Sequence, residues 1–163
     1  MDIRDERHAD IPIIGALITD AFASVAHSNG AEAQIVDHLR DADALTLSLV
    51  AVEDEVVLGH VAFSPVTVDG RDIGWFGLAP VAVRPDRQGC GLGDALVRAG
   101  LARLIAQGAK GCVVLGNPQY YGRFGFAVAL RLTYVGAPTR YFQALGFGAA
   151  PPVGEVAYHA AFG

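Results

Sequence analysis

The chain has 163 residues, 52% of them apolar, and sets 12 Lys and Arg against 17 Asp and Glu for a formal net charge of −5. That length suits one domain, the acidic balance without a basic run excludes a nucleic-acid partner, and no window reaches the ~20 apolar residues of a membrane span. Cys90 and Cys112 alone make no disulfide framework, and the charged start Met1-Asp2-Ile3-Arg4-Asp5-Glu6-Arg7 is no signal peptide, so a cytoplasmic protein is expected.

Only 18% of residues are charged. The low charge is compatible with a homodimer that covers part of the apolar surface.

Asp10 is placed to cap a helix with Pro12 in its first turn. Ile13, Ile14, Leu17, Ile18, Ala21 and Phe22 then repeat at helical spacing. Ala23 to Gly30 reads as a loop, and Ala31 to Arg40 as a second helix with Ile35, Val36 and Leu39 on one face. Leu45 to Glu53 reads as a strand, Asp54-Glu55 as a turn, and Val56 to Val66 as the antiparallel partner. A turn at Asp69-Gly70-Arg71-Asp72 leads to a strand from about Ile73 to Val83. Pro80 within that strand signals an edge or a bulge, because proline offers no ladder donor.

The segment Val81-Ala82-Val83-Arg84-Pro85-Asp86-Arg87-Gln88-Gly89-Cys90-Gly91-Leu92-Gly93-Asp94 runs from a strand through a turn into a helix. Leu92, Leu96, Val97, Leu101, Leu104 and Ile105 lie on one side of that helix, Arg98, Arg103 and Gln107 on the other, and Gly108 ends it. Unpaired N–H groups and the positive end of the helix dipole converge at such a start, and glycines let an anion approach the backbone closely. A phosphate-bearing ligand is therefore expected. A dinucleotide fingerprint would need glycine where Asp94 stands, and a P-loop would need Gly-Lys before Ser or Thr, whereas the only lysine is Lys110. Arg84 and Arg87 either reach the phosphates or face solvent. Asp94 suits a first helical turn but opposes a bound phosphate, so its side chain is expected to point away.

Gly111 to Leu115 returns as a strand parallel to the one before the loop, with Cys112 a small core residue. Leu130 to Val135 reads as a strand, Tyr141 to Leu145 as a short helical turn and Glu155 to Tyr158 as a last strand. There is no repeat, low-complexity tract or linker. His8, His27, His38 and His159 lack metal-ligand spacing, so no metal is expected. Cys90 has no local histidine to activate it as a nucleophile.

Gln88-x-x-Gly91-x-Gly93 resembles the acyl-CoA pyrophosphate loop of the GNAT (Gcn5-related) N-acetyltransferases. Leu115-Gly116-Asn117-Pro118-Gln119-Tyr120-Tyr121-Gly122-Arg123-Phe124-Gly125-Phe126 resembles the YhbS-like branch of that family, with Tyr121 five residues before Phe126. Ser48 to Val52, Gly59 to Val66 and Gly154 to Phe162 are similar to the same branch, so the resemblance covers nearly the whole chain as one domain, 1–163. It implies an α/β (α+β) fold in the order β-α-α-β-β-β-α-β. The sheet would be central and mostly antiparallel, with one splayed parallel strand pair and flanking helices.

The resemblance implies acetyl-CoA as co-substrate and an N-acetyltransferase that moves an acetyl group to a primary amine of a small molecule or peptide. Attack would be direct, in a ternary complex. Val81, Ala82 and Val83 would pair with the pantetheine arm, and one N–H there would polarise the thioester carbonyl. Gln88, Gly89, Cys90, Gly91, Leu92, Gly93 and Asp94 would wrap the pyrophosphate, with Asn117 and Tyr120 also on the cofactor side. Tyr121 would be the general acid for the departing thiolate, although which of Tyr120 and Tyr121 faces the sulfur stays open. Two features depart from the family. Its asparagine lies further upstream of the tyrosine than Asn117 does, and Trp75-Phe76-Gly77-Leu78-Ala79-Pro80 offers no carboxylate as base. Glu32, His60 or a water chain remain for that role. The alternative reading is a non-catalytic acyl-CoA-binding or regulatory module, and a third is an interaction protein with a vestigial loop. Tyr141 to Phe147 would line the acceptor pocket, a dimer contact or the core.

Overall fold

The computed structural model describes residues 1–26 and 28–163. Its strands are β1 (Asp2–Asp5), β2 (Leu47–Glu53), β3 (Val56–Pro65), β4 (Thr67–Val68), β5 (Trp75–Val83), β6 (Gly111–Leu115), β7 (Leu132–Thr133), β8 (Phe142–Gly146) and β9 (Gly154–Ala157). Its helices are α1 (Ile11–Phe22), α2 (Glu32–Asp41), α3 (Leu92–Ala106) and the single turn α4 (Pro118–Tyr121). Hydrogen bonding orders one sheet β1-β2-β3-β5-β6-β8 and a smaller one β4-β9-β7. The expected mixed sheet, mostly antiparallel with one parallel pair and flanked by helices, is present. By contact the chain forms two compact units, Met1–Phe63 with Ala79–Gly100, and Ser64–Leu78 with Leu101–Gly163.

In the first unit β1 and β3 both pair antiparallel with β2, and a bulge falls between Ala51 and Val52. Ile14, Leu17 and Ile18 of α1 and Val36 of α2 bury against Val50, Val57 and Ala82. Ile13, read as part of that apolar face, is 48% exposed, because a core-facing stripe is narrower than the run of apolar residues that α1 carries. Gly100 on α3 admits the ring of Phe63, and Gly59 on β3 admits Leu96 of α3, since a Cβ would lie 2.1 Å and 2.8 Å from those side chains. Glycine here serves close packing of helix on sheet.

Asp10 does not cap α1 with its side chain. Its carboxylate instead accepts from the Arg7 amide and from Arg4 Nη1, both at 2.7 Å, closing a capping box on the 3-10 turn His8–Asp10. The turn comes one step earlier than sequence reading placed it, and the arginine takes the carboxylate.

In the second unit Trp75–Gly77 of β5 pairs parallel with Gly111–Val113, and β6 pairs antiparallel with β8. Val66, Val68, Trp75, Val113, Leu132, Phe142, Ala144 and Val156 form its core. The helical turn expected over Tyr141 to Leu145 is strand β8, preceded by a 3-10 turn at Thr139–Tyr141. Five ladder positions against β6 override the local pattern. The strand expected over Leu130 to Val135 shrinks to Leu132–Thr133, with Leu130 and Val135 both about four-fifths exposed. Ile105 is likewise 55% exposed rather than on the inner side of α3. His27, within the loop read at Ala23 to Gly30, lies outside the described residues.

Candidate active site

The glycine loop belongs to the first unit. After β5 the chain makes a 3-10 turn at Pro85–Arg87, Gln88 is extended, and Gly89 and Gly91 take φ of +78° and +85°. Both glycines face open space where a Cβ would stand. They are therefore required for backbone conformation and not for packing. The first bond of the α3 ladder runs from Ala95 N to Gly91 O at 3.1 Å. Leu92 and Gly93 thus open the first turn, at the positive end of a 15-residue helix. Gln88 Nε2 donates to Val83 O at 3.1 Å and ties the loop back to the end of β5. Cys90 is exposed and free.

The arginines beside the loop are already engaged. Arg84 forms an ion pair with Asp86 at 2.6 Å, and Arg87 with Glu53 at 2.6 Å. Ala82 is buried while Val81 and Val83 are partly exposed, as alternation along a strand requires. Arg84 N donates to Leu58 O at 2.8 Å, so this end of β5 runs beside β3.

The tyrosines belong to the second unit. Asn117 is the N-cap of α4, its Oδ1 accepting from Gln119 N at 2.9 Å, so its side-chain oxygen has a structural task. Tyr121 lies over Gly116, where a Cβ would stand 2.4 Å from Cε2 of the ring. Its ring meets Phe126 edge to face at 6.0 Å and Tyr120 at 5.0 Å. Burial pushes the Tyr121 phenol up to about 12. Tyr120 differs in that the Arg123 guanidinium stacks on its ring at 4.6 Å. Cys112 is fully buried, and burial raises its thiol, consistent with a core residue.

A buried polar chain in the first unit was not anticipated beyond His60. His60 is fully buried on β3, and its Nε2 lies 2.8 Å from Ser48 Oγ. Ser48 Oγ donates to Glu6 Oε1 at 2.5 Å, and Arg40 Nε and Nη2 donate to the two Glu6 oxygens at 2.9 Å each. Burial opposes the charge on Glu6, but the bonds from Arg40 and Ser48 outweigh it and hold the carboxyl below its ordinary value. Burial drives His60 down to about 4. Ser48 and His60 sit two positions out of register on paired strands, a diagonal contact that a one-dimensional pattern hides.

Glu32 accepts from Ser28 Oγ and lines a cavity of about 250 Å³ with Thr19, Phe22 and Val25. Among the described residues no group of three or more His, Cys, Asp or Glu is arranged to hold a metal, and no helix is long and apolar enough to cross a membrane.

Residues 15–126 match the acetyltransferase (GNAT) family. The chain is 47% identical over 130 residues to the N-acetyltransferase YhbS of Escherichia coli strain K12, itself described as uncharacterized, covering 79% of this chain and 75% of that protein. A GNAT family acetyltransferase from Brucella melitensis, solved with acetyl-CoA, superposes with a TM-score of 0.91 at 53% identity over 99% of this chain and 97% of that one. Escherichia coli YhbS, solved with CoA, superposes with a TM-score of 0.90 at 41% identity over 99% of this chain and 91% of that one.

Proposed function

Because the chain belongs to the GNAT acetyltransferase family, we propose that it transfers the acetyl group of acetyl-CoA to a primary amine of a small molecule or peptide, the whole of 1–163 acting as one domain. The observation that carries this reading is the start of α3. Gly89 and Gly91, both left-handed and open where a Cβ would stand, lead straight into the first turn of α3, whose positive end lies there and whose Ala95 amide is bonded to Gly91 O. Gln88, Gly89, Cys90, Gly91, Leu92, Gly93 and Asp94 then receive the pyrophosphate through main-chain donors, with Arg84 and Arg87 beside the loop paired with Asp86 and Glu53. The relative from Brucella melitensis that holds acetyl-CoA supports the choice of ligand.

The arm of the cofactor extends along Val81, Ala82 and Val83 as an added strand, exchanging amide hydrogen bonds with a backbone whose side chains alternate in burial. The amine attacks the thioester carbonyl, the C–N bond forms, and collapse breaks the C–S bond. Tyr121 donates to the departing sulfur. Its phenol, at about 12, stays protonated through the physiological range. Transfer to an ordinary thiolate of pKa ~8.5 is uphill by about 5 kcal/mol. A thiolate released in equally dry surroundings is raised by the same desolvation, which narrows that gap. Asn117 and Tyr120 shape the turn that presents Tyr121. Proximity of amine and thioester supplies the larger part of the rate.

Calorimetric titration of acetyl-CoA into wild type and Gly91→Trp tests this reading. Saturable binding to wild type, lost in the variant, is expected. A wild type that binds no acetyl-CoA would overturn it.

A further inference from the structure

Glu32 is a half-buried carboxylate without a cation. Among the described residues the ion pairs join Arg4 to Asp10, Arg40 to Glu6 and Asp37, Arg84 to Asp86 and Arg87 to Glu53, and none includes Glu32. Its side chain accepts one hydrogen bond there, from Ser28. The Ser28 hydroxyl donates to Glu32 Oε1 and itself accepts from Gly30 N at 3.1 Å. The serine is thus held from both sides, and Oε2 of Glu32 keeps its full capacity to accept. The carboxylate lines the cavity of about 250 Å³, which lies wholly within the first unit, where α1 ends and α2 begins. Thr19 Oγ1 spends its proton on Gly15 O at 2.9 Å, so it too has only acceptor capacity left. The polar side chains of the cavity therefore offer acceptors and no free proton, while Phe22, Val25 and Ala33 supply apolar wall. A donor head on an apolar stem matches that lining, and an anion does not. The net charge of −5 favours cations over the whole surface. Phe22 and Ala33 also pack on the buried cluster that holds Ala82, the middle residue of the segment assigned to the cofactor arm.

We propose that this cavity anchors a second, protonated amine of the acceptor, and that Glu32 is the residue that selects it. The proposal rests on the acetyl-transfer reading and names its acceptor class: short aliphatic amines that carry a second cationic group. The anchored ammonium donates to Glu32 Oε2 and Thr19 Oγ1, and its methylenes lie against Phe22, Val25 and Ala33. The other amine is neutral, and it alone forms the C–N bond. The anchored ammonium keeps its protons throughout. A monoamine of equal length puts a methyl group where the ammonium belongs and leaves the carboxylate without a donor, a loss that a polar subsite penalises strongly. The volume lies below the ~300–1,000 Å³ of drug-sized pockets, so the cavity admits a short chain and not a bulky one.

The test joins a spectroscopic and a kinetic readout on the full chain. Titration with 1,4-diaminobutane in the absence of cofactor, followed in methyl proton–carbon spectra, is expected to shift the methyl signals of Thr19, Val25 and Ala33. Glu32→Gln is expected to bind the diamine about tenfold more weakly. With acetyl-CoA saturating, kcat/KM for 1,4-diaminobutane is expected to exceed that for n-pentylamine, its isostere, by about tenfold or more. Glu32→Gln should raise KM for the diamine by about that factor, with little change in kcat, and so abolish the preference. Ser28→Ala, which releases only Oε1, should raise that KM several-fold. A Glu32 that merely supports the fold would leave the preference intact. Diamine shifts confined to other parts of the chain, or equal diamine KM in wild type and Glu32→Gln, would overturn the proposal and leave the acetyl-transfer reading standing. A wild type that binds no acetyl-CoA would instead sink that reading, and the diamine titration would still decide whether the cavity holds the cation.

Discussion

The ring of Phe63 occupies the place where a side chain on Gly100 would begin, with Cε1 only 2.1 Å from an ideal Cβ. Helix α3 therefore approaches its sheet as closely as backbone allows at that point. Gly100→Ala must displace either the helix or a fully buried ring. Overpacking of this kind costs about 1–3 kcal/mol. Chemical denaturation should show that loss as a lower midpoint with an unchanged slope.

Gln88 offers a gentler perturbation at the other end of the same helix. Its amide holds Val83 O and so fixes the loop against β5. Gln88→Ala should leave global stability within about 1 kcal/mol of wild type, since a single exposed hydrogen bond is lost. It should weaken acetyl-CoA several-fold by releasing the loop that the cofactor needs ordered. Paired calorimetry and thermal melts on the one variant would separate the two effects.

Tyr121→Phe distinguishes an enzyme from a binding module. The phenyl ring keeps its contacts with Gly116 and Phe126 and loses only the hydroxyl. Acetyl-CoA affinity should be retained while kcat falls by about 10² or more. Equal turnover in variant and wild type would remove Tyr121 from the chemistry.

Acid stability carries a signature of His60. Its folded value near 4 lies below the unfolded value of 6.5, so the unfolded chain binds the extra proton between those limits. Stability from this group is complete above pH 6.5 and falls progressively as pH drops to about 4, by about 3 kcal/mol in all. Glu6 and Asp10, both held below their ordinary values, withdraw further stability only at lower pH, as each is protonated. Unfolding free energies measured between pH 7 and 4.5 should slope clearly in wild type and much less in His60→Gln.

The parts legible from sequence are those governed by local chemistry. The glycine spacing announced the loop, and the runs of Leu and Val placed β2, β3, β5 and β6 within two residues of their observed limits. Strand β8 was misread because Tyr141 to Leu145 has no alternation of its own and becomes a strand only by pairing with β6. Asp10 was assigned to the wrong turn because its partner, Arg4, is brought to it by a strand edge that charged residues disguise. The His60 chain was invisible for the same kind of reason. Glu6, Arg40, Ser48 and His60 come from four separate segments, and only register between β2 and β3 brings the last two together.

Amide hydrogen exchange with and without acetyl-CoA tests the central claim most directly. Binding should slow exchange at Gly89 to Asp94 and at Val81 and Val83, with little change on α1. Unchanged exchange throughout the loop in the presence of saturating acetyl-CoA would contradict the account.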